Sequence, residues 1–174
     1  MTDVKTIIND IIEREGGFVN LSQDKGGATK YGITHRTLSE WRGRQVSVNE
    51  VENLSKETAF RIYLHDYYVG PGIDKLPDEI KPIMTDMAVN HGPKKSIKLL
   101  QDVLNVCDFN LIVDGVCGEK TINAAEELYE KIGDDLIHKL VERRKAFYES
   151  IVDHDPTQAI FLDGWRNRAN SFLT

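Results

Sequence analysis

Residues 15–34 read EGGFVNLSQDKGGATKYGIT, and this stretch decides how the rest of the chain is read. A carboxylate, Glu15, closes an amphipathic run. Two glycine pairs follow, Gly16-Gly17 and Gly26-Gly27, with Asp24 and Thr29 close to the second. A core segment has no use for so many small and polar residues in a row. Four glycines in the twelve residues from Gly16 to Gly27 remove side chains where the backbone must turn tightly or let another molecule approach. With a few β-formers among its turn residues, the stretch is expected to be an irregular loop or a short β-hairpin at a functional site.

Working outward, the chain reads as helix after helix. Upstream, Ile7, Ile8, Ile11 and Ile12 repeat at the helical period after Thr2 or Asp3 as a cap, and Gly16-Gly17 supplies the stop. Glu15 therefore falls at a helix C-terminus. Downstream, a short helix over 35–42 carries Leu38 and Trp41. Ser47 and Glu50 form a capping-box pattern for a helix to about Leu54, and Ser55 caps the next, with Ala59, Ile62, Tyr63 and Tyr67 on one face. Gly70-Pro71-Gly72 ends it. Pro77 with Asp78 and Glu79 looks like a helix start, while Pro82 either kinks that helix or marks its true first turn. Further helices are expected from Pro93 to the loop at Cys107–Gly118, over 119–131, over 134–152 and after Pro156. The fold class is mainly α, with one irregular or hairpin segment after the first helix.

Composition narrows the function. A chain of 174 residues, 40% hydrophobic and 29% charged, is long enough to bury a core and too apolar for extended disorder. The net charge of -6 argues against nucleic acid, because the one dense basic run, Arg143-Arg144-Lys145, sits inside a helical pattern. Asn9, Asp10 and Glu13 interrupt the apolar residues at the start, so neither a signal peptide nor a membrane span is read there. Cys107 and Cys117 are read as free thiols, with a bridge between them as the alternative. No histidine or cysteine spacing suggests a metal site, and no cofactor is expected.

Three groups of residues carry a resemblance. Glu15-Gly16-Gly17-Phe18, Asp24-x-Gly26-Gly27-x-Thr29-Lys30-Tyr31-Gly32-Ile33-Thr34 and Asp86-x-Ala88-Val89-Asn90-x-Gly92 together resemble glycoside hydrolase family 108. Members of that family are lysozyme-type muramidases, common as phage endolysins. Leu100-Gln101, Asp114-Gly115-x-x-Gly118-x-x-Thr121 and Gly164-Trp165-x-Asn167-Arg168 are similar to the peptidoglycan-binding segment that usually completes such proteins. The resemblance implies a lysozyme-like helical fold, a catalytic region over 1–92 and a peptidoglycan-binding-like region over 93–174 packed on it. It also implies bacterial peptidoglycan as partner, no stable membrane insertion, a monomer, and action on the wall after cytoplasmic synthesis and release. One departure is Tyr67-Tyr68, whose second position carries Trp in the family pattern.

The chemistry stands beside the resemblance. Glycoside hydrolysis needs a protonated acid at the leaving oxygen and, in most cases, a second carboxylate that directs water or stabilises the oxocarbenium-like state. Glu15 suits the acid, because the negative end of the helix dipole and partial burial both favour its protonated form. Asp24, in a polar glycine-rich loop, suits the ionised partner. The order Glu15, Asp24, Thr29 resembles that of phage-type lysozymes, with Thr29 placed to hold the attacking water.

Other residues keep two readings. Tyr31, Tyr67, Tyr68 and Trp165 are either core rings or sugar platforms, and Tyr31, Tyr67, Tyr68 and Asn90 are the candidate substrate contacts. Asn90 is a helix C-cap or a substrate contact, and Asp114-Gly115 is a turn or part of a binding site. Three functions are weighed: a muramidase, a lytic transglycosylase that closes an anhydro sugar without water, and a non-catalytic wall-binding module.

Overall fold

The computed structural model describes residues 4–20 and 27–173. The candidate caps Thr2 and Asp3 and the candidate carboxylate Asp24 lie outside the described residues. By packing, the chain divides into two compact units, Asp3–Asp66 and Tyr67–Thr174.

In the first unit, α1 (Val4–Glu15) buries Ile7, Ile8, Ile11 and Ile12 as one stripe. The stripe faces α4 (Lys56–Tyr63), whose Ala59, Ile62 and Tyr63 are buried in turn. At Gly16 the backbone passes into the left-handed region, φ 76°, while its N–H still reaches the Ile12 carbonyl at 3.2 Å. That conformation costs a residue with a Cβ roughly 1–2 kcal/mol, so glycine ends the helix there. The chain then folds back: Val19 and Thr29 exchange two hydrogen bonds of 2.8 Å, and β1 (Thr29–Lys30) pairs antiparallel with β2 (Ile33–Thr34).

Three capped helices follow the hairpin. Thr34 caps α2 (His35–Arg42) by accepting from the Thr37 N–H. Ser47 and Glu50 form a complete capping box on α3 (Val48–Glu52), and Ser55 caps α4 through the Thr58 N–H. Each cap satisfies a backbone donor that the helix cannot, typically worth about 1 kcal/mol. The chain leaves α4 through a π-helix, Leu64–Val69, that carries Tyr67 and Tyr68.

The second unit is built around α5 (Lys81–His91), which buries Ile83, Met84, Thr85, Asp86, Met87 and Ala88 in one run. A helix buried on nearly all sides is a central element. Pro82 lies in its first turn, where a missing N–H costs nothing, so the second reading of that proline holds. Around it stand α6 (Pro93–Val106), α7 (Glu119–Ile132), α8 (Asp135–His154) and α9 (Leu162–Asn170), the last entered through a 3₁₀ segment, Pro156–Phe161. Cys107 and Cys117 are free thiols. Burial pushes the Cys117 thiol up to about 11, and it points at the Gly72 carbonyl 3.6 Å away, which makes it a poor nucleophile.

The centre of this unit is ionic. Asp86 accepts from Arg144 at 2.7 Å and from Arg168 at 2.9 Å, tying α5 to α8 and α9. Arg144 is fully buried and also donates to the Tyr148 hydroxyl at 2.9 Å. Burial by itself would raise the Asp86 carboxyl, but the hydrogen bonds and charges of the two arginines outweigh it and hold it below its usual range.

His91, at the end of α5, packs edge-on against Phe147 and Tyr148, with ring centroids 5.0 and 5.2 Å away. Burial, helped by the Arg144 charge and opposed by Asp86, pushes its imidazole down from 6.5 to about 3. A depressed folded value means that the unfolded chain takes the proton first, so His91 contributes stability above pH 6.5 that is lost as pH falls toward 3. The expected slope is at most about 1.4 kcal/mol per pH unit. Carboxylates with depressed values, Asp86 and Glu50 among them, add their own losses around and below 3.8 and 4.5, but parent and variant share them, so the difference between the two reports the histidine. His91→Phe, which keeps a ring but cannot charge, should flatten urea-unfolding stability relative to the parent as pH falls from 6.5 toward 3; identical slopes for variant and parent would refute the assignment.

Candidate active site

Glu15 is the last residue of α1 and is half-buried. The hairpin turn lies directly against it. Tyr31 and Gly32 both have positive φ, 53° and 74°, which is the backbone of a two-residue type I′ turn and matches the Lys30–Ile33 register. A Cβ on Gly32 would stand 2.9 Å from the Glu15 Cγ and would overlap the Tyr63 hydroxyl. Glycine at 32 thus serves two needs at once, the left-handed backbone and the close approach to the Glu15 side chain.

Tyr31 is the strained member of the turn, since a bulky residue in the left-handed region costs on the order of 1–3 kcal/mol. Its backbone is held from both sides. The Tyr31 N–H donates to the Gly16 carbonyl at 2.9 Å, and its carbonyl accepts from the Tyr63 hydroxyl at 2.7 Å. The first of these bonds ties the turn to the residue after Glu15, and the second ties it to α4. The side chain of Tyr31 is left half-buried, with the Lys30 ammonium 5.3 Å from its ring centroid. Lys30 itself is anchored on the Glu52 carbonyl at 2.6 Å.

Of the other candidates, Thr29 sits half-buried in β1 opposite Thr34, its backbone spent on Val19. Glu15, Thr29 and Tyr31 are therefore brought into one local structure by the first unit. Tyr67, Tyr68 and Asn90 belong to the second. Tyr67 is half-buried, whereas Tyr68 is only 8% exposed, so its ring is largely core. Asn90 is exposed within α5, and the cap of that helix is Gly92, which removes the capping reading of Asn90. Trp165 stacks between Tyr148 and Phe161, with centroids 5.2 and 5.9 Å away.

Two features escaped the sequence reading. Tyr63 looks like an ordinary core aromatic on α4, yet its hydroxyl fixes the turn facing Glu15. Arg144 looks like part of a solvated basic run, yet it is the buried partner of Asp86. A signal existed for the second: Leu140, Arg144 and Tyr148 follow at intervals of four, so the arginine occupies an apolar-stripe position. Among the described residues, no group of three or more His, Cys, Asp or Glu is placed to hold a metal ion. No helix among them is long and apolar enough to cross a membrane.

The dependence of this corner on Gly32 can be measured with an internal control. Gly43, the cap of α2, has a similar φ of 67° but open space where a Cβ would go. Gly43→Ala should cost only the left-handed penalty of about 1–2 kcal/mol. Gly32→Ala should cost more, because the added methyl displaces Glu15 or Tyr63. Equal costs for the two variants would show that the close approach has no energetic weight.

Comparison with known proteins supplies the class. Residues 8–92 match the family model described as Glycosyl hydrolase 108, and residues 95–170 match one described as Predicted Peptidoglycan domain. A search of curated proteins gave no match. Among solved structures, SagA of Brucella abortus is similar at 33% identity and a TM-score of 0.74, over 97% of this chain and 94% of that one. A helical, lysozyme-like body carrying these two regions defines a glycoside hydrolase that acts on peptidoglycan. The chain belongs to glycosyl hydrolase family 108.

Proposed function

We propose that the enzyme is a lysozyme-type muramidase, hydrolysing the bond between N-acetylmuramic acid and N-acetylglucosamine. The observation that carries this reading is the strained Tyr31-Gly32 turn packed onto Glu15, a backbone held out of its preferred conformation beside the carboxylate that ends α1. In this reading Glu15 protonates the leaving oxygen, Asp24 acts as base, and the Thr29 hydroxyl holds the attacking water. Inversion with water between the carboxylates would set Glu15 and Asp24 roughly 6.5–9.5 Å apart. Residues 1–92 form the catalytic region, with Tyr31, Tyr67, Asn90 and the exposed edge of Tyr68 as sugar contacts, and residues 93–174 bind the wall.

Mass spectrometry of the fragments released from purified peptidoglycan tests the reaction. Hydrolysis by a muramidase leaves a reducing muramic acid end. An anhydro end, lighter by one water, would make the enzyme a lytic transglycosylase, and a reducing glucosamine end would make it a glucosaminidase.

A further inference from the structure

We propose that the cavity between the 107–118 loop and the start of α7 binds the short peptide stem of peptidoglycan, not its glycan strand. This rests on the reading of the chain as a peptidoglycan hydrolase and assigns the wall-binding region a site and a ligand class. The cavity, of about 250 Å³, is lined by Asn110, Leu111, Ile112, Asp114, Val116 and Lys120 among others.

The loop around it is built not to move. Asn105 clamps Leu111 from both sides, donating to its carbonyl at 2.9 Å and accepting from its N–H at 2.7 Å. Gln101 is 1% exposed and spends its whole amide on the same loop. Its Nε2 reaches the Asp114 carboxylate at 3.0 Å, the Val116 carbonyl at 3.1 Å and the Thr121 hydroxyl at 3.2 Å, and its Oε1 accepts from the Gly115 N–H at 2.9 Å. Gly115, at φ 79°, leaves no room for a Cβ, which would stand 2.6 Å from the Lys94 carbonyl oxygen. On this fixed frame Ile112 is 82% exposed and Val116 61% exposed. Apolar side chains presented on a fixed backbone at a concave surface suit a binding site, because the loop itself need not be ordered on association.

Size and chemistry choose the occupant. Pockets for drug-sized ligands, about the bulk of a disaccharide, run from about 300 to 1,000 Å³, so this one suits a unit nearer a dipeptide. A sugar ring commonly stacks on an aromatic side chain, and none of the lining residues carries one, while the Gln101 amide is already engaged. Leucine, isoleucine and valine suit the methyl groups of alanine residues. Charges of both signs line the cavity: Lys120, and the carboxylates Glu119 and Asp114, the latter held below the usual carboxylate range by hydrogen bonds from Gln101 and the Val116 N–H. A stem peptide carries the matching set of alanine methyls, carboxylates and a side-chain amine.

The test uses the full chain carrying Glu15→Gln and a nitrogen-15 NMR titration. The probes are a synthetic Ala-Glu-Lys-Ala stem tetrapeptide of natural chirality and, separately, a peptide-free N-acetylglucosamine tetramer. The tetrapeptide should shift the amides of residues 110–120 in a saturable way, and the glycan should not. Ile112→Glu and Lys120→Glu, both at exposed positions, should weaken peptide binding at least about tenfold without altering the rest of the spectrum. Shifts of these amides by the glycan alone, by neither probe, or equally in the variants would overturn the proposal. The catalytic reading fails by a different result, the wrong end group released by the parent enzyme, which leaves the titration untouched.

Discussion

Glu15→Gln is expected to lower peptidoglycan turnover by about 10²–10⁴-fold while leaving the fold and wall binding in place. The amide keeps the size and hydrogen-bonding reach of the side chain but has no acidic proton to give to the leaving oxygen. The contact made by the hairpin turn at Gly32 falls on Cβ and Cγ of the residue, atoms that the substitution leaves unchanged. The variant should therefore unfold with the parent in urea and still sediment with insoluble walls. A well-folded Glu15→Gln enzyme clearing walls within about tenfold of the parent would remove Glu15 from the mechanism, since that loss is below what general acid catalysis contributes.

Arg144→Met is expected to destabilise the protein by about 3–5 kcal/mol, a large share of the roughly 5–15 kcal/mol available to a chain of this kind. The substitution removes the 2.7 Å hydrogen bond from Arg144 to Asp86, a carboxylate at 1% exposure that Arg168 also contacts. It also frees the Tyr148 hydroxyl that Arg144 now contacts. The cost should be partly recovered in Arg144→Met combined with Asp86→Leu, because an apolar pair in the same space no longer strands that charge. Urea midpoints for the single and double variants decide it. A loss under about 1 kcal/mol for Arg144→Met, or a double variant worse than the sum of the singles, would contradict this account of the cluster.

The parts of the fold legible in sequence are those fixed by neighbours along the chain. The isoleucine stripe of α1, the Ser47–Glu50 box, the Ser55 cap and the start of α6 at Pro93 all appear where local patterning puts them. The features that escaped depend on distant partners. The π-helix at Leu64–Val69 keeps an apolar spacing that an α-helix would also show, so Tyr67 reads as a continuation of the α4 face. Arg144 reads as surface until Asp86, 58 residues earlier, is placed beside it. For the candidate site, the glycine-rich stretch draws attention in the sequence, but the adjacency of Glu15 to the turn depends on Gly16 and Tyr31 meeting across fifteen residues. The motif pieces Asp86-x-Ala88 and Trp165-x-Asn167-Arg168, separate in sequence, prove to be two ends of one ion cluster.

The hairpin turn also says something about how the protein can change. The two hydrogen bonds that tie Tyr31 to Gly16 and Tyr63 pass through its backbone N–H and carbonyl, and asparagine or glycine would satisfy both while sitting more comfortably at that φ. Selection for thermal endurance alone would drift position 31 toward those residues. With Tyr31 a sugar contact, as proposed above, position 31 is one where activity and robustness compete, and a programme of stabilising substitutions on this enzyme should leave that residue alone.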